Sequence, residues 1–276
     1  MAGKLYLCAT PIGNLDDITL RVLNTLKEVD LIAAEDTRHS IKLLNHFEIK
    51  KPLVSYHAHN HVSAGQAILE RLLGGESCAL VTDAGTPAIS DPGEELVRLC
   101  AQHDVEVLSI PGCCAAVNAL AVSGLPTGRF TFEGFLTVNR KSRREHLESL
   151  KTEERTMIFH EAPHKLRTTL ADLRDTFGPD RQIALCRELT KLHEQTRRCT
   201  LAEAVDYYAE NEPKGEFVLV VAGAEKQEET TLSLAEAVDL VLERKAQGMR
   251  LKDAVRDVAA DTGLSKNELY AAALER

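Results

Sequence analysis

The sequence predicts two α/β domains followed by a helical extension. Short apolar runs alternate with helical periodicity over the first 124 residues, the alternation changes after that point, and the last 45 residues carry only helical patterns. The chain has 276 residues, of which 44% are hydrophobic. That length suits about two domains, each large enough to bury its own core.

The first predicted domain covers residues 1–124. Leu5–Ala9 is typical of a strand, and apolar residues at 3- and 4-residue spacing between Ile18 and Val29 indicate an amphipathic helix. Further strands are predicted, with helices between them, at Leu31–Ala34, Leu53–Tyr56, Cys78–Val81 and Val105–Ile110. Repeated strand–helix units of this length favour a parallel or mostly parallel sheet.

The second predicted domain covers residues 125–225 and begins after Gly124-Leu125-Pro126. Its predicted strands are Phe130–Phe135, Thr156–His160, Gln182–Cys186 and Phe217–Val221. Helices are expected at about 141–151, 163–177 and 201–210. With fewer connecting helices than the first domain, it is expected to hold a mixed sheet.

Residues 226–276 form the predicted linker and extension. Ala224–Thr231 is polar, as linkers are, and a glycine turn at Thr262–Ser265 separates two predicted helices. Ser265 and Glu268 have the spacing of a capping box. The segment resembles a helix-turn-helix, so it is either a small helical cap on the second domain or a nucleic-acid-docking element.

Charge and cysteine content narrow the functional class. Lys and Arg total 33 against 42 Asp and Glu, a net charge of −9, so a nucleic-acid partner would need a local basic patch. The uncharged stretch Val107–Gly128 contains prolines and glycines, which argue against a membrane span. Seven scattered cysteines without a C-x-x-C pair, and no evident signal peptide, favour a cytoplasmic protein.

Five predicted loops follow the strands of the first domain, where open α/β sheets bind ligands. They are rich in Gly, Pro and small polar residues, which favours a cleft at this edge, and span residues 10–14, 35–38, 56–59, 82–87 and 111–116. The dinucleotide fingerprint G-x-G-x-x-G, the P-loop and the hydrolase motif G-x-S-x-G are all absent from the sequence.

Two further patterns leave alternatives open. His57, His59 and His61 would share one face of an extended strand and would either hold a metal or hydrogen-bond a substrate. Residues 140–144 place four cations in five positions, either as a solvated helix start or as a surface for RNA phosphates.

Read in order, the loops carry ATPIGNLDDIT, LIAAEDTRHS, SYHAHN, VTDAGTPAISDPG and IPGCCAAVNAL, followed by FEGFL, RELTK and KGEFVLVV. This series resembles the ribosomal RNA small subunit methyltransferase I family of the tetrapyrrole methylase superfamily. The resemblance covers nearly the whole chain. It implies two α/β domains of the tetrapyrrole-methylase type with a C-terminal helical extension.

The resemblance also implies an activity and partners. The methyl donor would be S-adenosylmethionine, held in the cleft between the domains of a homodimer. Because this donor is intrinsically reactive, alignment of the reactants is expected to dominate catalysis and no metal is expected to be needed. The substrate would be 16S rRNA of the small ribosomal subunit, methylated on the ribose 2′-oxygen of a cytidine in the decoding region.

Site residues follow from the matching motifs. The expected cofactor-binding residues are Ile12, Asp83, Pro87, Ile89, Cys114, Ala115, Glu161, Ala162, Leu192 and Gly215. The candidate catalytic residues are Asp36, His57 and Glu133, and the candidate RNA-binding residues are Arg38, Arg140, Lys141, Arg143 and Arg144. Two positions depart from the family pattern: Cys113 stands where proline is usual, and His160 where an aromatic residue is usual.

Two other functions compete with this one. A tetrapyrrole C-methyltransferase of the same fold would need neither the basic segment nor the helical extension. A non-enzymatic nucleic-acid-binding protein built on the C-terminal helices would leave the five sheet-edge loops unexplained and would not bind S-adenosylmethionine.

Overall fold

The computed structural model describes residues 2–225 and 232–275. The chain divides into two compact units, Met1–Ala224 and Glu225–Arg276. Most of the predicted linker 224–231 lies outside the described residues. Within the described part of the chain, the strands of the first unit form two five-stranded sheets, one from residues before position 124 and one from residues after it.

The first sheet is parallel throughout, as predicted. Its strands are β1 (Leu5–Cys8), β2 (Leu31–Ala34), β3 (Leu53–Ser55), β4 (Cys78–Val81) and β5 (Val107–Ile110), in the order β3-β2-β4-β1-β5. β2 and β4 are buried at every residue, which explains why LIAA and CALV are uniformly apolar rather than alternating.

Helices connect these strands. They are α1 (Leu20–Glu28), α2 (Thr37–His46), α3 (His61–Leu73), α4 (Glu94–Gln102) and α5 (Ala115–Ser123). The Thr19 hydroxyl caps α1 by accepting from the Val22 N–H, and the Asp36 carboxylate caps α2 by accepting from the Arg38 N–H. All five carboxyl ends of the strands therefore open on the same edge of the sheet, where the loops gather.

The second sheet is mixed, as predicted. It contains β6 (Phe130–Phe135), β7 (Thr156–Glu161), β8 (Gln182–Arg187), β9 (Gln195–Thr200) and β10 (Phe217–Val221), in the order β6-β7-β10-β8-β9. Only β6 and β7 pair in parallel among these neighbours. Three helices accompany the sheet: α6 (Arg140–Ser149), α7 (Pro163–Phe177) and α8 (Leu201–Glu210).

The edge strand β9 escaped the sequence prediction. Its sequence, QTRRCT, places two arginines in the middle of the strand, so it lacks the apolar alternation that identifies strands. Charged residues are common on edge strands because they discourage pairing with other chains. Pairing with β8 in the register Ala184↔Arg198 makes the segment a strand.

Helix α5 belongs to the first half of the sequence but packs on the second sheet. Ala116, Ala119 and Leu120 pack with Ile158 and Val218 in one buried cluster. Their small side chains let the helix approach the strands closely.

Arginine 198 of β9 closes the far end of α5. Its guanidinium donates to the carbonyls of Ser123 (Nε–O, 3.0 Å) and Val122. Gly124 then ends the helix in a left-handed conformation, φ 78°. A side chain of the second sheet therefore satisfies carbonyls at the C-terminus of α5. The helix is held to that sheet both by the packing of its side chains and by these hydrogen bonds to its backbone.

The second unit is helical, as predicted. Its helices are α9 (Leu234–Ala246), α10 (Leu251–Thr262) and α11 (Lys266–Leu274), and the predicted glycine turn is formed by Gly263 at φ 69°. The predicted capping box at Ser265 is wrong, since no side-chain hydrogen bond caps α11 among the described residues. The S-x-x-E spacing permits a box but does not bring the hydroxyl to the third amide of the helix. No helix in the described ranges is long and apolar enough to cross a membrane.

A capping box does form at the start of α9. The Ser233 hydroxyl accepts from the Glu236 N–H, and the Glu236 carboxylate accepts from the Ser233 N–H. We expect Ser233→Ala to destabilise α9 by about 1 kcal/mol, the usual cost of losing an N-cap. Ser265→Ala is the matched control and should cost less than about 0.5 kcal/mol, because it removes no cap.

Hydrogen exchange of the first-turn amides of α9 and α11 in the full chain measures both effects. Equal losses of protection in the two variants would contradict the assignment of the cap to Ser233.

Candidate active site

A cavity of about 510 Å³ lies where the carboxyl edge of the first sheet faces the second sheet. This volume is in the range of pockets that bind small organic ligands. Loops of the first sheet contribute Ile12, Glu35, Thr82, Asp83, Ala84, Ile89, Ser90, Asp91 and Ala115. The second sheet and its loops contribute Phe135, His160, Glu161, Ala162, Pro163, Cys186, Leu189, Glu216, Phe217 and Val218.

The walls of this cavity are acidic. Five carboxylates line it, from Glu35, Asp83, Asp91, Glu161 and Glu216, and none of the described lining residues is Lys or Arg. A concentration of negative charge on partly desolvated walls attracts cations and repels anions such as phosphate. The cavity is therefore suited to a positively charged ligand.

Hydrogen bonds fix the floor of the cavity. The Thr82 hydroxyl donates to Glu35 Oε2 at 2.8 Å, and the Thr10 hydroxyl donates to the Thr82 carbonyl at 3.1 Å. The Asp36 N–H donates to Asp83 Oδ1 at 3.2 Å. Two of the acidic side chains are thus held in place before any ligand enters.

Asp91 differs from these two carboxylates. Burial raises the pKa of Asp91 to about 6, and the neighbouring charges of Glu35 and Asp83 add to the increase. The nearby Thr82 side chain opposes the shift. Asp91 is therefore ionised at neutral pH but much more basic than an ordinary aspartate.

Backbone strain is concentrated in the two loops that face each other across the cavity. Ala88 (φ 67°) and Ser90 (φ 63°) are left-handed in the first-sheet loop, and Glu188 (φ 52°) and Thr190 (φ 66°) are left-handed in the loop after β8. Such conformations cost roughly 1–3 kcal/mol each in a non-glycine residue and cluster at functional sites. The loops are held in these shapes by the surrounding structure.

His160 on β7 contributes an open hydrogen-bonding position. Its ring lies between Phe132 and Phe135, with both centroid distances 5.3 Å and nearly perpendicular planes. Nε2 is buried and has no hydrogen-bond partner among the described residues. Burial lowers the pKa of His160, against an opposing effect of Glu216, so the ring is neutral.

The cavity unites six of the ten expected cofactor-binding residues: Ile12, Asp83, Ile89, Ala115, Glu161 and Ala162. The other four do not line it. Pro87 is buried within its loop, Cys114 precedes α5, Leu192 is 93% exposed, and Gly215 packs against Glu188 next to the lining residue Glu216.

The structure does not gather the three candidate catalytic residues in the cavity. Asp36 lies beside it, with its carboxylate bound to the Arg38 guanidinium (Oδ2–Nη2, 2.7 Å). The hydrogen bonds from Arg38 hold the pKa of Asp36 well below its usual range. Glu133 on β6 faces His146, with 2.9 Å between Oε2 and Nε2.

The third candidate, His57, lies in a turn rather than on a strand. The His57 N–H donates to Asn60 Oδ1 at 2.8 Å, and its Nδ1 accepts from the His59 N–H at 3.2 Å. His61 begins α3, with Nδ1 2.7 Å from the Ala58 carbonyl oxygen. The expectation that the three histidines share one strand face is wrong, because Asn60 closes the turn between them. In residues 2–225 and 232–275, no group of His, Cys, Asp or Glu is arranged to hold a metal ion.

The candidate RNA-binding residues on α6 differ in solvent exposure and in ion pairing. Arg140 and Arg144 are exposed on α6, and Lys141 is 85% exposed with Glu145 at 3.8 Å. Arg143 is only 13% exposed and pairs with Asp172 of α7 (Nε–Oδ2, 2.6 Å). Arg143 therefore joins two helices, whereas its neighbours face solvent.

Three carboxylates that line the cavity are not among the candidates from the sequence. Glu35 stands one residue before the candidate Asp36, and Asp91 stands two residues after the candidate Ile89. Glu216 follows Gly215 in the same way. The motifs thus located the right loops, but which side chain of a loop turns into the cavity depends on its backbone conformation.

Comparisons with known proteins identify the family. A model described as tetrapyrrole (corrin/porphyrin) methylases matches residues 4–205, and one described as the RsmI C-terminal HTH domain matches residues 232–276. Among solved structures, uroporphyrin-III-C-methyltransferase from Thermus thermophilus has a TM-score of 0.55 at 21% identity, covering 80% of this chain and 94% of that one. The methyltransferase CobJ has a TM-score of 0.60 at 20% identity, covering 81% and 95%. These structures share the fold.

Curated relatives are much closer in sequence. Proteins named ribosomal RNA small subunit methyltransferase I are 50% identical in Synechocystis sp., covering 99% of this chain and 98% of the relative, and 48% identical in Pseudomonas aeruginosa, covering 100% and 98%. The Bacillus subtilis protein of that name is 44% identical, covering 97% and 93%. The resemblance that the loop motifs indicate is confirmed. The chain belongs to the ribosomal RNA small subunit methyltransferase I family, a branch of the tetrapyrrole methylases.

Proposed function

We propose that this protein transfers a methyl group from S-adenosylmethionine to the ribose 2′-oxygen of a cytidine in the decoding region of 16S rRNA. The observation that carries the proposal is the acidic cavity between the two sheets, most of whose lining residues lie in the matched range 4–205. The names of the curated relatives support an rRNA substrate.

The residues present fit the donor. S-adenosylmethionine carries a sulfonium and an ammonium group. The cavity offers a cation the carboxylates of Glu35, Asp83 and Asp91, whereas the carboxylate of Glu216 already pairs with Lys191 (Oε2–Nζ, 2.9 Å). Ile12, Ile89 and Ala115 provide apolar surface, and the unpartnered Nε2 of His160 provides a polar contact. A solved tetrapyrrole methylase from Thermus thermophilus, 18% identical with a TM-score of 0.55, is described as complexed with S-adenosylhomocysteine.

We assign donor binding to the six lining residues of the predicted set and, through the conformation of their loops, to Pro87, Cys114, Leu192 and Gly215. The donor supplies an electrophilic methyl group when it is bound. The protein then contributes mainly alignment, since holding two reactants in line lowers a barrier by about 7–11 kcal/mol. A general base adds about 10²–10⁴-fold.

The depressed pKa of Asp36 makes it a weak proton acceptor, so we propose that it orients the acceptor hydroxyl. Glu133 and His57 do not line the cavity and are proposed to support the loops around it.

The RNA backbone requires a different surface. Phosphates are repelled by the acidic cavity, so we propose that Arg38, Arg140, Lys141 and Arg144 bind them outside it, while Arg143 positions α6 through Asp172. The helix-turn-helix match of residues 232–276 supports a nucleic-acid-docking role for the second unit.

We also propose that the protein is a cytoplasmic homodimer. The location follows from an rRNA substrate. For the dimer, the support is the outer face of α5, where the apolar side chains Val117 and Val122 are 54% and 40% exposed and offer a surface that a second copy can cover.

Methyl transfer tests the proposed function directly. We expect labelled methyl from S-adenosylmethionine to appear on one cytidine ribose 2′-oxygen of small ribosomal subunits that lack their own modification, with the nucleotide mapped by mass spectrometry. Label on a tetrapyrrole and none on RNA would instead establish a small-molecule acceptor. Absence of donor binding would favour a non-enzymatic nucleic-acid-binding protein.

The basic segment gives a second prediction. Arg140→Ala combined with Arg144→Ala should reduce the slope of log K for RNA binding against log salt by about 1.4–1.8, because each phosphate contact contributes about 0.7–0.9. Arg143→Ala is the control: it should leave the slope unchanged but lower the free energy of unfolding by roughly 1–3 kcal/mol, since Asp172 loses its partner. A slope that falls equally in Arg143→Ala would refute this division of roles.

His160 gives a third prediction. His160→Phe keeps the aromatic packing and removes Nε2, so binding of S-adenosylhomocysteine should weaken by roughly tenfold, the value of one hydrogen bond in a buried site. The free variant should be at least as stable as the parent, because it no longer buries an unpaired nitrogen. Isothermal titration and thermal unfolding measure the two effects, and unchanged affinity would exclude a contact with His160.

The pH dependence supplies a check on the same variant. Because the folded-state pKa of His160 is lowered, the unfolded chain binds the proton first as the pH falls below about 6.5. The parent should therefore lose stability relative to His160→Phe below that pH and show no pH-dependent difference above it.

A further inference from the structure

We propose that Asp91 accepts the proton of the acceptor hydroxyl during methyl transfer. This inference rests on the proposed function and adds the residue that removes the proton, which none of the sequence motifs assigns. Asp91 lines the cavity together with Glu35 and Asp83, on the same first-sheet edge that receives the donor.

The backbone around Asp91 is built to hold its side chain at this place. Ala88 and Ser90 precede it in left-handed conformations, at φ 67° and 63°. Gly93 follows at φ 147°, and a Cβ at that position would lie 2.9 Å from Leu80 Cδ2 and 3.0 Å from Ala88 Cβ. The loop is strained before Asp91 and closely packed after it, so the carboxylate has little freedom to leave the cavity.

The two neighbouring carboxylates are less suited to accept a proton. Glu35 accepts a hydrogen bond from the Thr82 hydroxyl, and Asp83 accepts one from the Asp36 N–H, so one oxygen of each carboxylate is already engaged by the protein. The Thr82 hydroxyl, whose proton goes to Glu35, also lies near Asp91 and lowers its pKa, but burial outweighs this effect and raises the pKa of Asp91 to about 6. A general base works best when its pKa lies close to the operating pH.

The environment of Asp91 is otherwise negative. Glu35 and Asp83 approach it from the loops after β2 and β4, and both raise its pKa. The remaining titratable groups that line the cavity come from the second sheet and its loops: His160, Glu161, Cys186 and Glu216. Because burial lowers the pKa of His160, its ring adds no positive charge to the cavity at neutral pH.

The step balances without a further reactant. As the ribose 2′-oxygen forms its bond to the methyl carbon, the carbon–sulfur bond breaks and its electron pair stays on sulfur, which becomes a neutral thioether. The hydroxyl proton passes to a carboxylate oxygen of Asp91. At pH values above 6 the carboxylic acid then returns this proton to water, and the carboxylate is restored.

Asp91→Asn in the full chain tests the proposal. We expect kcat for methylation of small ribosomal subunits to fall by about 10²–10⁴-fold, the usual contribution of a general base, with the Kd of S-adenosylhomocysteine changed less than about threefold. The parent kcat should decline below pH 6, about tenfold per pH unit, and this decline should be absent in the variant. Glu94→Gln, which removes a nearby exposed carboxylate that does not line the cavity, should behave like the parent.

Thermal unfolding gives a readout that needs no substrate. The folded-state pKa of Asp91 is raised, so ionised Asp91 destabilises the folded protein at pH 8, and this effect disappears as the pH falls below 6. Asp91→Asn should therefore raise Tm at pH 8, with a gain that shrinks towards pH 5. Asp91→Glu should retain part of the activity with a displaced pH profile, since it keeps a carboxylate.

The outcomes separate the two proposals. A parent protein that does not methylate rRNA would overturn the proposed function. An active parent whose Asp91→Asn variant keeps its kcat and pH profile would overturn the role of Asp91. A variant that loses affinity for S-adenosylhomocysteine but keeps its single-turnover rate would also overturn it, because Asp91 would then be a donor-binding residue.

Discussion

The packing of α5 on the second sheet is the contact on which the site depends. This helix starts at the carboxyl edge of the first sheet, directly after the PGCC loop, yet its alanines are buried against β7, β8 and β10. One rigid element thus carries the edge of one sheet onto the face of the other. Arg198 fastens the far end of the helix by satisfying its last carbonyls. The helix holds the carboxyl edge of the first sheet opposite the second sheet, and the cavity is the space left between them.

The gap is filled with groups that oppose stability. Glu35 and Asp83 each repel ionised Asp91, and Ala88 and Ser90 adopt strained conformations. Folded proteins tolerate such features where function requires them and compensate elsewhere. Here the compensation comes from the buried strands β2 and β4 behind the loops, together with the Thr10–Thr82–Glu35 hydrogen bonds. A cationic ligand would relieve the repulsion, so binding and stability are linked through the same carboxylates.

The sequence predicts those features that depend on neighbouring residues. LIAA and CALV predict buried parallel strands because burial on both faces removes alternation, and the rule that ligands bind at carboxyl ends of strands selects the correct loops. Pairing partners distant in sequence are not visible in this way. Arg143 matches its exposed neighbours in type but pairs with Asp172, 29 positions away. Arg197 and Arg198 interrupt the apolar alternation that would predict β9, and the segment is a strand because it pairs with β8. Within a loop, the φ angles of Ala88 and Ser90 determine that Asp91 rather than Pro87 lines the cavity.

The separation of charge explains how an acidic chain can act on RNA. The chain has a net charge of −9, and five of its carboxylates line a cavity whose described lining residues include no Lys or Arg. Exposed cations lie instead on α6 of the same unit. A phosphate is therefore favoured at α6 and disfavoured in the cavity, but a neutral ribose hydroxyl meets no such barrier. Electrostatics alone thus keeps phosphates out of the cavity and leaves uncharged groups of the RNA free to enter it. This arrangement favours an uncharged acceptor group of the RNA over a phosphate at the cavity.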